Sequence, residues 1–161
     1  WYAALVSKTT PTAIVLTRQN LPQLDGSTKE ALKGGYIIKE ASKAIPDMIL
    51  IASGSEVSLA VDAADELENE GVATRVVSMP CMDVFEKQSK EYKDKILPNT
   101  VRNRVAIEAL SSFGWDRYTG LDGRVISMNS FGASAPQDQL FKKFGFTKEN
   151  VVAAAKEVLN Q

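Results

Sequence analysis

Residues 48–79 read MILIASGSEVSLAVDAADELENEGVATRVVSM, in which two sheet-like runs flank one helical pattern. The first run, MILIA at 48–52, is continuously apolar, which is typical of a strand buried on both faces of a sheet. Apolar residues then recur at helical spacing across residues 55–70, and Gly71 ends the pattern. The second run, TRVVSM at 74–79, completes the strand–helix–strand unit from which parallel sheets are built.

The same alternation continues on both sides of this unit. Further strands are predicted at residues 36–39, 104–109 and 124–128. Further helices are predicted at residues 84–96, 136–144 and 148–159. We therefore predict an α/β fold, a three-layer α/β/α sandwich around a mostly parallel sheet of about five strands.

The first part of the chain differs from the rest. Residues 1–8 are predicted to end a helix, and residues 12–17 (TAIVLT) are predicted to form a buried strand. The segment LPQLDGS at 21–27 has the Pro, Asp and Gly of a linker, so we predict a domain boundary near Asp25–Lys29. The chain starts at Trp1 without an initiator Met, which suggests a piece cut from a longer protein.

Composition excludes several classes of function. The chain has 19 basic and 20 acidic residues, spread along its length, so a nucleic-acid-binding surface is not expected. There is no long apolar run for a membrane span and no signal-peptide pattern. The single cysteine fits a reducing, cytoplasmic compartment and offers no metal-site spacing. Histidine is absent, which removes Ser-His-Asp and Cys-His catalysis.

Arg18 is the first candidate for a ligand contact. It follows the predicted strand at 12–17, and α/β folds place ligands at the carboxyl ends of their strands. Its planar guanidinium suits phosphate, and Gln19 and Asn20 add amide donors beside it. The alternative, favoured by position alone, is that Arg18 pairs with a carboxylate across a domain interface.

The turn from Ser53 to Glu56 joins a strand to a helix and is the second candidate. A helix N-terminus can bind an anion, but the turn has one glycine and Glu56 would repel phosphate. We expect Ser55 simply to cap the helix.

Three weaker candidates have ordinary structural explanations. In residues 131–138 (FGASAPQD), Ser134 and Gln137 match a capping box. Glu108 could act as an acid or base, but we expect it to hold a loop through backbone N–H groups. Cys81 is expected to be a small packed residue and not a nucleophile.

Several motifs together resemble the transketolase family. They are LTRQNLP at 16–22, GGYIIKE at 34–40, LIASGSEVSLAVDAADEL at 50–67, ATRVVSMPCMDVFEKQ at 73–88 and SFGASAPQDQLFKKFGFT at 130–147. They keep the family order and span nearly the whole chain. One departure is Cys81, where the family more often has serine.

The resemblance implies a domain arrangement. Residues 1–24 would be the last helix and strand of the family's pyrimidine-binding domain, 25–34 a linker, and 35–161 the transketolase C-terminal domain. The family works as a homodimer that holds thiamine diphosphate and a divalent metal, Mg²⁺ or Ca²⁺, between its two upstream domains. The fragment itself is expected to bind neither and to be inactive alone.

The resemblance also implies a reaction and one site residue. Transketolases move a two-carbon ketol unit from ketose phosphates to aldose phosphates in the pentose phosphate pathway. Arg18 matches the arginine that holds the phosphate of the sugar substrate, while no catalytic, cofactor-binding or metal-binding residue is expected in this chain. The alternatives are a dihydroxyacetone synthase fragment, a stand-alone anion- or nucleotide-binding module, and a purely architectural domain.

Overall fold

A five-stranded sheet organises the computed structural model, which describes residues 1–160. Its strands are β1 (Tyr36–Lys39), β2 (Met48–Ala52), β3 (Thr74–Ser78), β4 (Arg104–Glu108) and β5 (Arg124–Ser127). They lie in the order β1-β3-β2-β4-β5. β1 is antiparallel to β3 and the other pairs are parallel, so the predicted mostly parallel sheet is confirmed.

Seven α-helices and one 3₁₀ helix accompany the strands within the described residues, and four of the α-helices, α2 to α5, lie between strands in the chain. The α-helices are α1 (Tyr2–Val6), α2 (Glu56–Asn69), α3 (Met82–Glu86), α4 (Lys90–Ile96), α5 (Asp116–Thr119), α6 (Gln137–Phe144) and α7 (Lys148–Leu159). The 3₁₀ helix covers Lys29–Lys33, inside the predicted linker. In residues 1–160, no helix combines the length and the apolar character needed to cross a membrane.

Alternate residues of the strands divide the core into two layers, as the pleat of a sheet requires. On one face, Leu50 and Ile107 pack with apolar residues of α2 and α7, such as Leu67 and Val151. The opposite face carries Ile51 and its neighbours, which pack against side chains of α3, α4 and α5. Both faces of β2 are fully buried, which explains its continuously apolar sequence. The predicted three-layer sandwich is therefore confirmed.

Arg104, at the start of β4, holds together a stretch of irregular backbone. Its guanidinium donates to the carbonyl oxygens of Tyr118 at 2.7 Å, Pro98 at 2.9 Å and Leu97 at 3.2 Å, and its Nε donates to that of Val101 at 2.9 Å. Burial lowers the pKa of Arg104. One side chain thus fixes the loop after α4 to the end of α5.

The strand predicted at residues 12–17 is the main error in the predicted elements. In the structure this segment has no regular secondary structure, and no strand of the described sheet pairs with it. Val15 is 92% exposed and Leu16 69% exposed. An apolar run forms a strand only where neighbouring segments accept its backbone hydrogen bonds, and the described residues offer none here. The predicted helix before it is present as α1.

Candidate functional site

The chain order of the strands reverses between β2 and β4. After β2 the chain crosses by α2 to β3 on one side, and then returns to β4 on the other side. In open α/β sheets such a switch point leaves a crevice at the carboxyl ends of the two strands. Ser53 and Glu108 lie at those two ends, and Glu56 begins α2 beside them.

Two carboxylates meet at this switch point. Glu56, only 3% exposed, accepts a hydrogen bond from the Ser55 hydroxyl at 2.6 Å and one from the backbone N–H of Ala109 at 3.4 Å. Glu108 accepts a 2.6 Å hydrogen bond from the Ser53 hydroxyl. Each carboxylate thus links the turn after β2 to the end of β4.

The surroundings of this pair disfavour the ionised form of both carboxyl groups. Burial raises the pKa of Glu56, although the hydrogen bonds from Ser55 and Ala109 oppose the shift. Burial also raises the pKa of Glu108, and the charge of Glu56 raises it further against the effect of Ser53. No salt bridge to either carboxylate occurs within residues 1–160. A pair of carboxylates without a cation is a poor site for an anion, which argues against the stand-alone anion-binding module.

The observed contacts correct two predictions. Ser55 occupies the N-cap position of α2, but its hydroxyl bonds to the carboxylate of Glu56 and makes no cap hydrogen bond. Its helical backbone conformation, φ −67° and ψ −26°, differs from the extended one that side-chain capping uses. Glu108 bonds to a hydroxyl and not to loop N–H groups, and it is Glu56 that holds the backbone of Ala109.

The Glu56→Gln variant is expected to be more stable than the natural chain at neutral pH, by on the order of 1 kcal/mol. A carboxyl whose pKa is raised on folding keeps its proton to a higher pH in the folded state than in the unfolded state. The free energy of unfolding therefore falls as pH rises from the unfolded pKa of about 4.3 through the folded pKa. Urea unfolding across this range should show that the advantage of the variant grows with pH.

Glu70, directly after the C-terminal end of α2, provides a matched control. Glu70 is exposed and pairs with Lys156 at 2.7 Å. Glu70→Gln should lose at most about 1 kcal/mol and gain nothing at neutral pH. If Glu56→Gln proves less stable than the natural chain at every pH, its ionised form would be stabilising and the interpretation would be wrong.

Arg18 lies in a different part of the surface. It is exposed, and no carboxylate of residues 1–160 forms a salt bridge with it. It lines a cavity of about 480 Å³ between the N-terminal segment and the start of α6. The residues around this cavity are Arg18, Gln19, Ala135, Gln137, Leu140 and Phe141.

The structure thus brings together two candidates that the sequence analysis treated separately, Arg18 and the segment 131–138. The capping box predicted in that segment is not formed. α6 starts at Gln137, and Pro136 holds the N-cap position with φ −54° and ψ 146°, without a side-chain cap hydrogen bond. Because Ser134 lies two residues before the N-cap, its hydroxyl is not at the capping position. The sequence carries no local signal that these two segments lie side by side, because the fold alone brings them to the same cavity.

The remaining candidate is Cys81. It was expected to be packed, but in the structure it is exposed. It precedes α3, and its backbone N–H donates to the carbonyl oxygen of Gly34 at 2.9 Å. Within residues 1–160, no group of three or more histidine, cysteine or acidic side chains is arranged to hold a metal ion.

Comparison with known proteins gives one family. The model of the transketolase-like C-terminal domain matches residues 34–147. Transketolase 2 of Pasteurella multocida is 52% identical over 99% of this chain, and the transketolase of Bacillus subtilis is 50% identical over all of it. The chain spans about a quarter of the length of these curated relatives: 25% of each.

Solved structures agree with the sequence comparison. The transketolase from Leishmania mexicana superposes with a TM-score of 0.91 and 42% identity, over 99% of this chain and 23% of that one. A transketolase from Pichia stipitis in complex with sedoheptulose 7-phosphate gives a TM-score of 0.78 and 46% identity, over 88% of this chain and 20% of that one. The first superposition includes the N-terminal segment that carries Arg18.

Proposed function

We infer the function from the family, because this chain belongs to the transketolases as a member of their C-terminal domain family. We propose that the longer protein containing it transfers a two-carbon ketol unit from a ketose phosphate to an aldose phosphate. The observation that carries this proposal is the 52% identity to Transketolase 2 of Pasteurella multocida over 99% of the chain. The transketolase name of that relative is what favours this reading over a dihydroxyacetone synthase.

Within that protein, we propose that this chain supplies one substrate contact, Arg18, and a supporting α/β domain. Arg18 is exposed in a cavity and is free of internal carboxylate partners among the described residues, so its guanidinium is available to a phosphate. A phosphate held far from the reacting carbons can orient the sugar for reaction elsewhere in the protein. A solved relative was crystallised with a sugar phosphate, sedoheptulose 7-phosphate, which supports this class of substrate.

The residues of this chain do not fit a thiamine diphosphate and metal site. The sequence has no histidine, and residues 1–160 contain no cluster of metal-ligating side chains. We therefore propose that the cofactor and a Mg²⁺ or Ca²⁺ ion are held by parts of the longer protein outside this chain. The residues of this chain would then take no part in the chemical step itself.

Calorimetry tests this division of labour. Thiamine diphosphate with Mg²⁺, titrated into the 161-residue chain, is expected to give only the heat of dilution. The longer protein under the same conditions should bind the cofactor and convert ketose phosphates. Micromolar binding by the chain alone would contradict the proposal, as would a longer protein that binds the cofactor but transfers no ketol unit.

The domain boundaries and the assembly are part of the same proposal. We assign residues 1–24 to the end of a preceding domain, 25–34 to a linker and 35–161 to the C-terminal domain. The family match begins at residue 34, and exposed apolar residues such as Val15 and Leu16 lie in the first segment, both of which support the division. A homodimer and a cytoplasmic location complete the proposal, the latter supported by a single cysteine.

A further inference from the structure

The cavity beside Arg18 has two walls from different parts of the chain. One wall is the N-terminal segment, with Arg18 and Gln19, and the other is the first turn of α6 with the residue before Pro136. Its volume of about 480 Å³ lies in the range of about 300–1,000 Å³ typical of small-molecule sites. A phosphate held by Arg18 would therefore also face the C-terminal domain.

The α6 wall is apolar except at one position. Ala135, Leu140 and Phe141 provide carbon surface, and Phe141 is fixed by packing against Phe146, with ring centroids 5.5 Å apart. Gln137 is the polar exception on this wall, and its side-chain amide has two N–H donors.

The charge balance of the cavity suits an anion. Arg18 is its charged residue, and none of the described residues that line it is acidic. The two glutamines add neutral donors, which can bind phosphate oxygens without introducing a second charge that must be desolvated. This distinguishes the cavity from the switch point, where Glu56 and Glu108 disfavour an anion.

We infer that the start of α6 forms the second wall of the phosphate subsite, with Gln137 as a specificity-determining residue that donates to the phosphomonoester held by Arg18. The inference rests on the proposed function of Arg18 and extends it to the C-terminal domain. That domain then contributes to substrate selection as well as to support of the fold.

Nuclear magnetic resonance of the ¹⁵N-labelled chain tests the inference without any cofactor. Addition of inorganic phosphate, against chloride at equal ionic strength, should shift the Gln137 side-chain amide and the Arg18 Nε–H with the same concentration dependence. The Arg18→Ala variant should abolish the shift at Gln137. The inference would be overturned if the Gln137 side-chain signals do not shift, or if their shift persists in the Arg18→Ala variant.

Kinetics of the longer enzyme separates this inference from the proposed function. Gln137→Ala should raise KM for a phosphorylated ketose about 5- to 10-fold, with kcat and the unphosphorylated ketose little changed. Gln137→Glu should raise KM further by placing a carboxylate in the cavity. Lys142→Gln, on the same helix but outside the cavity, should leave KM unchanged.

If Arg18→Ala impairs phosphate recognition but Gln137→Ala does not, this inference fails and the proposed function stands. Equal losses for both ketoses in Arg18→Ala would instead remove the function on which the inference depends.

Discussion

In the longer enzyme, Arg18→Ala is expected to raise KM for a phosphorylated ketose by about 30- to 100-fold. Hydrogen bonds to a charged partner contribute about 2–3 kcal/mol, and each 1.4 kcal/mol corresponds to a factor of ten in affinity. The same ketose without its phosphate should show an almost unchanged KM, because it never contacts the guanidinium. Steady-state kinetics with the two donors measures this difference directly.

Two further variants make the test specific. Arg18→Lys keeps the positive charge but loses the planar fork, so its KM should lie between those of the natural enzyme and Arg18→Ala. Lys8→Ala removes a positive charge from the same N-terminal segment but does not line the cavity, so it should behave as the natural enzyme does. Equal losses for phosphorylated and unphosphorylated donors would show that Arg18 has a structural role.

The Arg104→Ala variant is expected to lose about 3 kcal/mol of the free energy of unfolding. The substitution removes the guanidinium donor from the carbonyl oxygens of Leu97, Val101 and Tyr118. The carbonyl oxygen of Pro98 loses one donor and keeps the backbone N–H of Val101 at 3.0 Å. Unsatisfied buried acceptors are costly, and several at one place exceed the typical effect of a single substitution. Urea unfolding gives the total loss, and amide hydrogen exchange should show that the loop after α4 opens first.

Arg102 is a matched control two residues away. Its side chain is 67% exposed and pairs with Asp122, so Arg102→Ala should cost only about 0.5 kcal/mol. Arg104→Met keeps the packing of the aliphatic stem and should lose nearly as much as Arg104→Ala. A small loss for Arg104→Met with a large one for Arg104→Ala would assign the stability to packing instead of hydrogen bonding.

Local patterns in the sequence were sufficient for most of the sheet. β1, β2 and α7 have the predicted bounds, because apolar runs, helical spacing and flanking Gly or Pro are read within a few residues. The 3₁₀ helix Lys29–Lys33 and the short helix α5 were not predicted, since each is little more than one turn and has no periodic apolar face. The strand predicted at residues 12–17 failed because pairing depends on other segments.

The candidate site was less predictable for the same reason. Glu56 and Glu108 were noted separately. Glu56 follows one predicted strand and Glu108 lies near the end of another, which was the available signal that they could lie close together. Their proximity depends on β2 and β4 being neighbours, an order that the sequence pattern does not specify. Likewise, Arg18 and Gln137 share a cavity although more than a hundred residues separate them in the chain.

The segment at residues 12–17, which has no regular secondary structure, also bears on the behaviour of the chain in concentrated solution. Its N–H and C=O groups have no partners among the described backbone hydrogen bonds, and its Thr, Ile and Val residues favour sheet formation. Such a segment can pair with the same segment of another molecule and start an intermolecular sheet. With a net charge of only −1, the chain has little electrostatic repulsion to oppose this association. Colloidal stability of the separate chain is thus set by residues 12–17 and not by the well-packed α/β domain.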